Sequence, residues 1–353
     1  MSAPAAAAAA PSLTGARPRW QFLDSLRGFA VLGILLVNAV DITRLGMARV
    51  MEGGAPIQDP VLDALYLTVQ TRFVPIFVFL FGISLWIVLD GARARSARPA
   101  LVLVRRLVAL SVIGGLLMLV YPGNVLIEYG IVGLLMLPVV AFLPRWVTLA
   151  GGAVLTVVAY AAFGGGLPSV PGLILLGAGA AAYGLPRALE SSGRTVAIVF
   201  ASAAVLTGPA LFWQLTTSSG DPRFSTAGSV AGLVMAVFYT TGLALLWRTP
   251  ARRAIAAFFE PLGRMALTNY VGAAVVVALV AQVVDFGHTT SAAPVVALAL
   301  GLIVVQSVLS RLWLKHFVYG PVEWLWRTAT WLRPAAMRRR ARVVEPAPAT
   351  EAS

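Results

Sequence analysis

The chain has 353 residues, 59% of them hydrophobic and 12% charged, with a mean hydropathy of +0.86. That balance excludes a soluble globular domain, which needs far more polar surface, and marks a polytopic membrane protein. The net charge of +13 does not point to nucleic acid, because the basic residues recur in short clusters between apolar stretches, as they do beside anionic lipid. There is no cysteine, so disulfides, thiol nucleophiles, iron–sulfur clusters and thiolate metal sites are excluded.

Residues 1–19, rich in Ala and Pro, read as a disordered tail. They do not read as a cleaved leader: no basic residue precedes the Ala run, and the apolar stretch begins only after Arg17 and Arg19. The first span, 22–41, contains LDSLRGFAVLGILLVN at 23–38. At about 100° per residue, Asn38 lies only about 20° round the helix from Arg27 and about 16 Å along it. Asp24 and Asp41 fall on the same side, so one stripe of an otherwise apolar helix is polar. Lipid disfavours such a stripe, which should therefore face protein or a water-filled cavity. A plainer reading has Asp24 and Arg27 as an anchoring pair at the membrane interface.

A hydrocarbon core of about 30 Å needs roughly 20 apolar residues as helix. Nine further segments meet that ruler: 72–90, 101–120, 125–143, 145–163, 169–186, 195–215, 227–247, 265–285 and 294–314. The segment 169–186 is the shortest and the richest in Gly and Ala. Residues 58–71 and 250–262 read as surface or re-entrant helices. The expected fold is thus an all-α bundle of about ten spans in one domain, 20–332, followed by a basic and then disordered tail, 333–353. With both termini cytoplasmic, 23 of the 27 Arg and Lys fall inside, and only Arg44, Arg49, Arg72 and Arg223 outside. The positive-inside rule favours that orientation and that span count together.

Along the chain, three more polar groupings stand out. Arg72 opens the second span from the outer side in TRFVPIFVFLFG, against the charge bias, and either snorkels to lipid phosphate or has a protein partner. Asn124 and Glu128 follow four residues apart in YPGNVLIEYGIVG. Glu128 and Arg72 are expected at similar depth, either as a structural ion pair or, with Asn38 and Asp41, lining an external cavity. There a carboxylate of raised pKa would act as general base. Near the cytoplasmic side come Arg252, Arg253 and then GRMALTNY, with Arg264, Thr268, Asn269 and Tyr270, and finally GPVEWLWR at 320–327. Glu323 and Arg327 are spaced for an i, i+4 pair within an aromatic belt. The basic residues suit lipid headgroups or a phosphorylated cytoplasmic ligand equally. His288 and His316 lack partners at metal-ligand spacing, and no metal site is expected.

LDSLRGFAVLGILLVN, RFVPIFVFLFGISL at 72–85, EYGIVGLL at 128–135, GRMALTNY at 263–270, Gln306 and GPVEWLWR, in this order, resemble the YeiB-like family of bacterial membrane proteins, also called domain of unknown function 418. The family is in turn distantly similar to membrane acyltransferases of the heparan glucosaminide acetyltransferase type. That resemblance implies acyl-CoA as a donor and a sugar, lipid or similar small-molecule acceptor. Carried over onto matching positions, it would favour Asp24, Arg27, Asn38, Arg72, Glu128, Asn269 and Glu323. Taken with the polar groupings above, the candidate catalytic residues are Glu128, Asp41, Arg72 and Asn38, the candidate donor-binding residues Arg27, Arg264, Asn269, Arg252 and Arg253, and the candidates for structural pairs Asp24, Glu323 and Arg327. The chain departs from the pattern where relatives carry histidine: Gly114 stands in VIGGLL, and residues 39–71 contain none. Asn124 replaces a frequent Asp, and Gly272-Ala273 a frequent Gln-Ser. Two other readings stay open: a transporter of a small molecule or lipid, and a membrane partner without turnover.

Overall fold

The computed structural model describes residues 20–218 and 220–338; the expected N-terminal tail and residues 339–353 lie outside that range. Fifteen α-helices follow one another: α1 (Gln21–Ile42), α2 (Met47–Met51), α3 (Pro60–Thr68), α4 (Phe73–Arg93), α5 (Pro99–Leu117), α6 (Leu126–Phe142), α7 (Arg145–Phe163), α8 (Val170–Ala182), α9 (Leu185–Ser191), α10 (Gly193–Thr217), α11 (Thr226–Leu246), α12 (Arg252–Arg264), α13 (Ala266–Val283), α14 (Ala293–His316) and α15 (Pro321–Trp331). No strand is found among the described residues. The molecule is a polytopic bundle of apolar helices, as the composition requires.

Each of the ten expected segments is a helix, but only eight have the length and hydropathy to cross a membrane alone. The segment 169–186 is a broken element: α8 and α9 are bent by 69°, at Gly184, whose φ of +84° is a left-handed conformation that glycine adopts without strain. Pro186 then starts α9. The other exception is α6, with 17 residues and a length of about 25 Å. The two segments expected as surface or re-entrant helices are α3 and the amphipathic α12, but α3 runs on into α4 as one 34-residue candidate span, Pro60–Arg93. Residues 333–338, expected to begin a free tail, return to the bundle: Val318 N donates to Met337 O at 2.9 Å and Trp324 Nε1 to Ala335 O at 2.8 Å.

Lipid tails are as apolar as leucine, so helices associate here through close packing and interhelical hydrogen bonds rather than a hydrophobic drive. Glycines mark the tightest seams. A Cβ on Gly82 or Gly177 would overlap α8 or α4 backbone, and one on Gly152, Gly172 or Gly179 would overlap the α7–α8 interface. The small residues between 150 and 184 thus let α7 and α8 approach closely. α1 lies at the centre, packed on α4, α12, α13 and α14, and its Phe22, Leu26, Ala30, Val31, Ile34 and Leu35 are buried.

Candidate functional site

Two cavities open at opposite ends of α1. The first, of ≈ 280 Å³, is lined by Arg27 of α1, Ser84 of α4, Arg106 of α5, Arg264 of α12, Tyr270 of α13 and Glu323 of α15, with Phe77, Leu80, Phe81, Leu107 and Leu110 among its apolar walls. The second, of ≈ 570 Å³, is lined by Asp41 to Arg44, Val120 to Gly123 and Ala278, Ala281 and Gln282. The two share no lining residue, yet α1, α13 and α5 with the loop after it contribute to both.

Between them stand two phenols and an amide. Tyr121 Oη, on the second cavity, donates to Asn38 Oδ1 at 3.4 Å. The Tyr270 hydroxyl, on the first, is buried and makes no hydrogen bond to the described residues. The Asn38 side chain and the Val125 backbone N–H lie near it, out of bonding geometry. The polar stripe read from the first span thus connects the two recesses.

In the first cavity, Arg27 donates from Nη1 to Asp24 Oδ1 at 2.9 Å and from Nη2 to Ser84 Oγ at 3.0 Å, which makes the expected Asp24–Arg27 pair. Arg264 carries an i, i+4 ion pair with Glu260 at 3.9 Å. Arg106 was visible in the sequence only as one more inward-side charge. Its guanidinium lies 3.4 Å over the Trp326 ring and makes no hydrogen bond or ion pair with the described residues. The clue is its place: seven residues inside α5, well past the helix end at which a charge merely meets headgroups.

Glu323 does not pair with Arg327, whose guanidinium instead lies 5.0 Å over the Tyr319 ring. Its carboxylate caps α13, accepting from Leu267 N at 2.7 Å, Thr268 N at 3.0 Å and Thr268 Oγ1 at 2.5 Å. Burial raises this carboxyl above its ordinary value, against the lowering effect of those donors. Asn269 lines neither cavity: its Nδ2 donates to Leu262 O at 3.2 Å and Ser310 Oγ at 3.0 Å, tying α12, α13 and α14 together. Arg252 and Arg253 are exposed at the start of α12, Arg252 donating to Gln21 Oε1 at 3.1 Å.

The outer-side candidates also separate. Arg72 is 0% exposed and has no carboxylate partner among the described residues. Nη1 donates to Gln70 O at 2.6 Å and Thr71 Oγ1 at 2.8 Å, and Nη2 to Gln214 Oε1 at 2.5 Å. The expected Arg72–Glu128 pair is absent because backbone and amide oxygens take those donors. Glu128 is half-buried, lines neither cavity and makes no hydrogen bond or ion pair with the described residues. Asp41 lines the second cavity, but Arg223 binds both its oxygens, at 2.7 and 2.9 Å, and also grips Asp221. Asn124 bonds Gly114 O, Tyr121 O and Leu126 N, closing the turn before α6.

His288 is less isolated than its sequence neighbours suggest. Its Nδ1 lies 2.5 Å from Asp285 Oδ2 and its Nε2 3.1 Å from Glu52 Oε1, joining the α2–α3 and α13–α14 loops. Glu52 and then Asp285 raise the imidazole above its ordinary value, and His288 holds Asp285 below its own. No group of three acidic, His or Cys residues fit to hold a metal ion occurs among the described residues.

Residues 180–333 match the family described as Protein of unknown function (DUF418). Over 340 residues, 90% of this chain and 96% of the relative, the sequence is 31% identical to the "Uncharacterized 39.9 kDa protein in amylase 3′ region" of Bacillus acidopullulyticus. It is 25% identical to protein YxaH of Bacillus subtilis (strain 168), covering 94% of this chain and 99% of that protein. It is also 25% identical to protein YeiB of Escherichia coli (strain K12), covering 87% and 95%. No solved structure matches. The near-complete coverage of these relatives, together with the motifs that frame the first cavity, places the chain in the YeiB-like DUF418 family of membrane proteins.

Proposed function

We propose that this membrane protein transfers an acyl group between two ligands held at opposite faces of one helical bundle, a donor in the Arg27–Arg106–Arg264 cavity and an acceptor in the Asp41–Tyr121 recess. One observation carries the reading. The two cavities open at opposite ends of α1 and share no lining residue, and Tyr270, Asn38 and Tyr121 lie between them. Separate recesses suit group transfer, whereas a transporter needs a path its substrate can follow.

With an acyl thioester as donor, an acceptor oxygen bonds to the acyl carbon, the carbon–sulfur bond breaks, and the acceptor's proton passes to the departing sulfur. The Tyr270 O–H, buried and with no bonded acceptor of its own, is the group available to donate to the acyl oxygen as negative charge develops there. No side-chain base is assigned, since Asp41 is held by Arg223 and Glu128 lines neither cavity. The bacterial inner membrane, with the Arg106 face towards the cytoplasm, is the orientation that the charge distribution favours.

The test is transfer of radiolabelled acyl groups from acyl-CoA of graded chain length, using protein reconstituted in liposomes with membrane and periplasmic extracts as acceptors. The expected result is transfer or slow thioester hydrolysis, reduced on the order of 10²-fold by Tyr270→Phe. No turnover at any chain length, or turnover indifferent to Tyr270→Phe, overturns the proposal.

A further inference from the structure

We infer that the first cavity binds a single-chain amphiphile through its phosphate head, with the anion seated on Arg106 and the chain directed towards Phe77 and Phe81. The inference rests on the reading of this cavity as the donor's site and specifies what the donor must carry.

Charge is the first argument. Four ionised side chains line the cavity, three arginines and one carboxylate. The carboxylate, Glu323, already accepts three hydrogen bonds from the start of α13 and makes no ion pair with an arginine. Arg27 and Arg264 each have an acidic partner. Arg106 makes no hydrogen bond or ion pair with the described residues: its guanidinium lies on the face of Trp326, with the Glu323 carboxylate near enough to attract it and Arg27 and Arg327 near enough to repel it. A guanidinium held in a largely apolar recess without a bonded carboxylate is costly, and such residues in membrane proteins usually mark a ligand site.

Orientation is the second. The Trp326 indole donates to the Arg106 backbone carbonyl at 2.7 Å while its ring supports the guanidinium at 3.4 Å. The planar fork is therefore fixed before anything binds, leaving its N–H edge free for bidentate contact with an oxyanion. Arg27, with two of its five N–H groups engaged, adds donors from the facing helix.

Shape is the third. Apart from Arg27, Ser84, Arg106, Arg264, Glu323 and the Tyr270 hydroxyl, the wall is aliphatic and aromatic, running through Leu80, Phe81, Leu107 and Leu110. A free anion would leave that wall wet and a hydrocarbon alone would leave Arg106 unpaired, so head and chain belong to one molecule.

The experiment is titration of the full-length protein in dodecyl maltoside micelles with dodecyl phosphate, dodecanol and inorganic phosphate, followed by calorimetry. Dodecyl phosphate should bind at least tenfold more tightly than either fragment, and Arg106→Gln should remove that advantage without changing dodecanol binding. Arg106→Lys, which keeps the charge, should recover part of it, and unfolding temperatures show that both variants fold. Equal affinity for dodecanol and dodecyl phosphate, or an advantage untouched by Arg106→Gln, overturns the inference. Competition by lauroyl-CoA assigns the head to a soluble carrier, competition by lysophosphatidic acid to a bilayer lipid, and competition by neither overturns the site. Binding without acyl transfer would leave this inference standing and remove the proposed function. Transfer that Arg106→Gln leaves unchanged would do the reverse.

Discussion

Gly28 of α1 and Gly263 of α12 meet backbone to backbone: a Cβ on Gly263 would overlap the Asp24 carbonyl and lie 2.8 Å from Gly28 N, and one on Gly28 would overlap the Phe259 carbonyl. The contact fixes how deeply α12 seats and therefore where Arg264, the next residue, enters the cavity. Gly263→Ala should cost about 1–3 kcal/mol by forcing the two helices apart. Gly151→Ala on α7, where an added Cβ meets nothing within 4 Å, should stay within about 0.5 kcal/mol. Thermal unfolding of the two variants in the same detergent makes the comparison, and equal loss in both would contradict the packing argument.

Tyr270→Phe separates stability from activity. The hydroxyl is buried without a hydrogen bond, so its removal should leave the unfolding temperature unchanged or raise it slightly. Turnover should nonetheless fall. A variant that is both unstable and slow would show that the hydroxyl is satisfied in the working protein and acts structurally.

Arg72 locks α4 to α10 through Gln214, 142 positions away. Gln214→Leu should cost about 1–3 kcal/mol because it leaves a buried guanidinium nitrogen without its acceptor. Combining it with Arg72→Met should cost less than the two single changes added together, since the second removes the stranded donor. Additive losses in a double-mutant cycle would show that the bond contributes nothing.

His288 gives the α2–α3 and α13–α14 loops a pH dependence. Its imidazole is raised above 6.5, so its contribution is complete below that value and is lost as pH rises through the higher folded value. Asp285 is lowered below 3.8, so its share is complete above that value and is lost as pH falls through the lower folded one. The clip is therefore tightest between about 4 and 6.5. Amide protection factors across 46–54 and 285–290, corrected for the intrinsic pH dependence of exchange, should be higher at pH 5.5 than at pH 8.5, and His288→Gln should abolish the difference. Equal protection factors at both values in the parent protein would refute it.

The helices were legible because lipid imposes a length and a composition on anything that crosses it, and the polar stripe of α1 was legible because it violates that composition. The partners were not. Asp41 meets Arg223 and Phe22 N meets Glu190 Oε1 across 182 and 168 positions, separations over which periodicity says nothing. Spacing put Arg327 on the same helical face as Glu323, yet the carboxylate turns to the open backbone donors of α13, a competitor visible only once the helices are assembled. Arg106 was legible as charge but not as an unpaired charge, since pairing depends on what the neighbouring helices fail to supply. The break at Gly184 was foreshadowed by the shortness of its segment, but its angle depends on one backbone torsion.

The neck between the cavities also decides what the bilayer keeps separate. A carboxamide near neutral pH neither releases nor captures a proton, so Asn38, set between the phenols of Tyr121 and Tyr270, interrupts a proton wire at the point where the two sides come closest. Under the proposed function, the two recesses can therefore hold their ligands without a titratable group linking them. Asn38→Asp would place a titratable group in that gap.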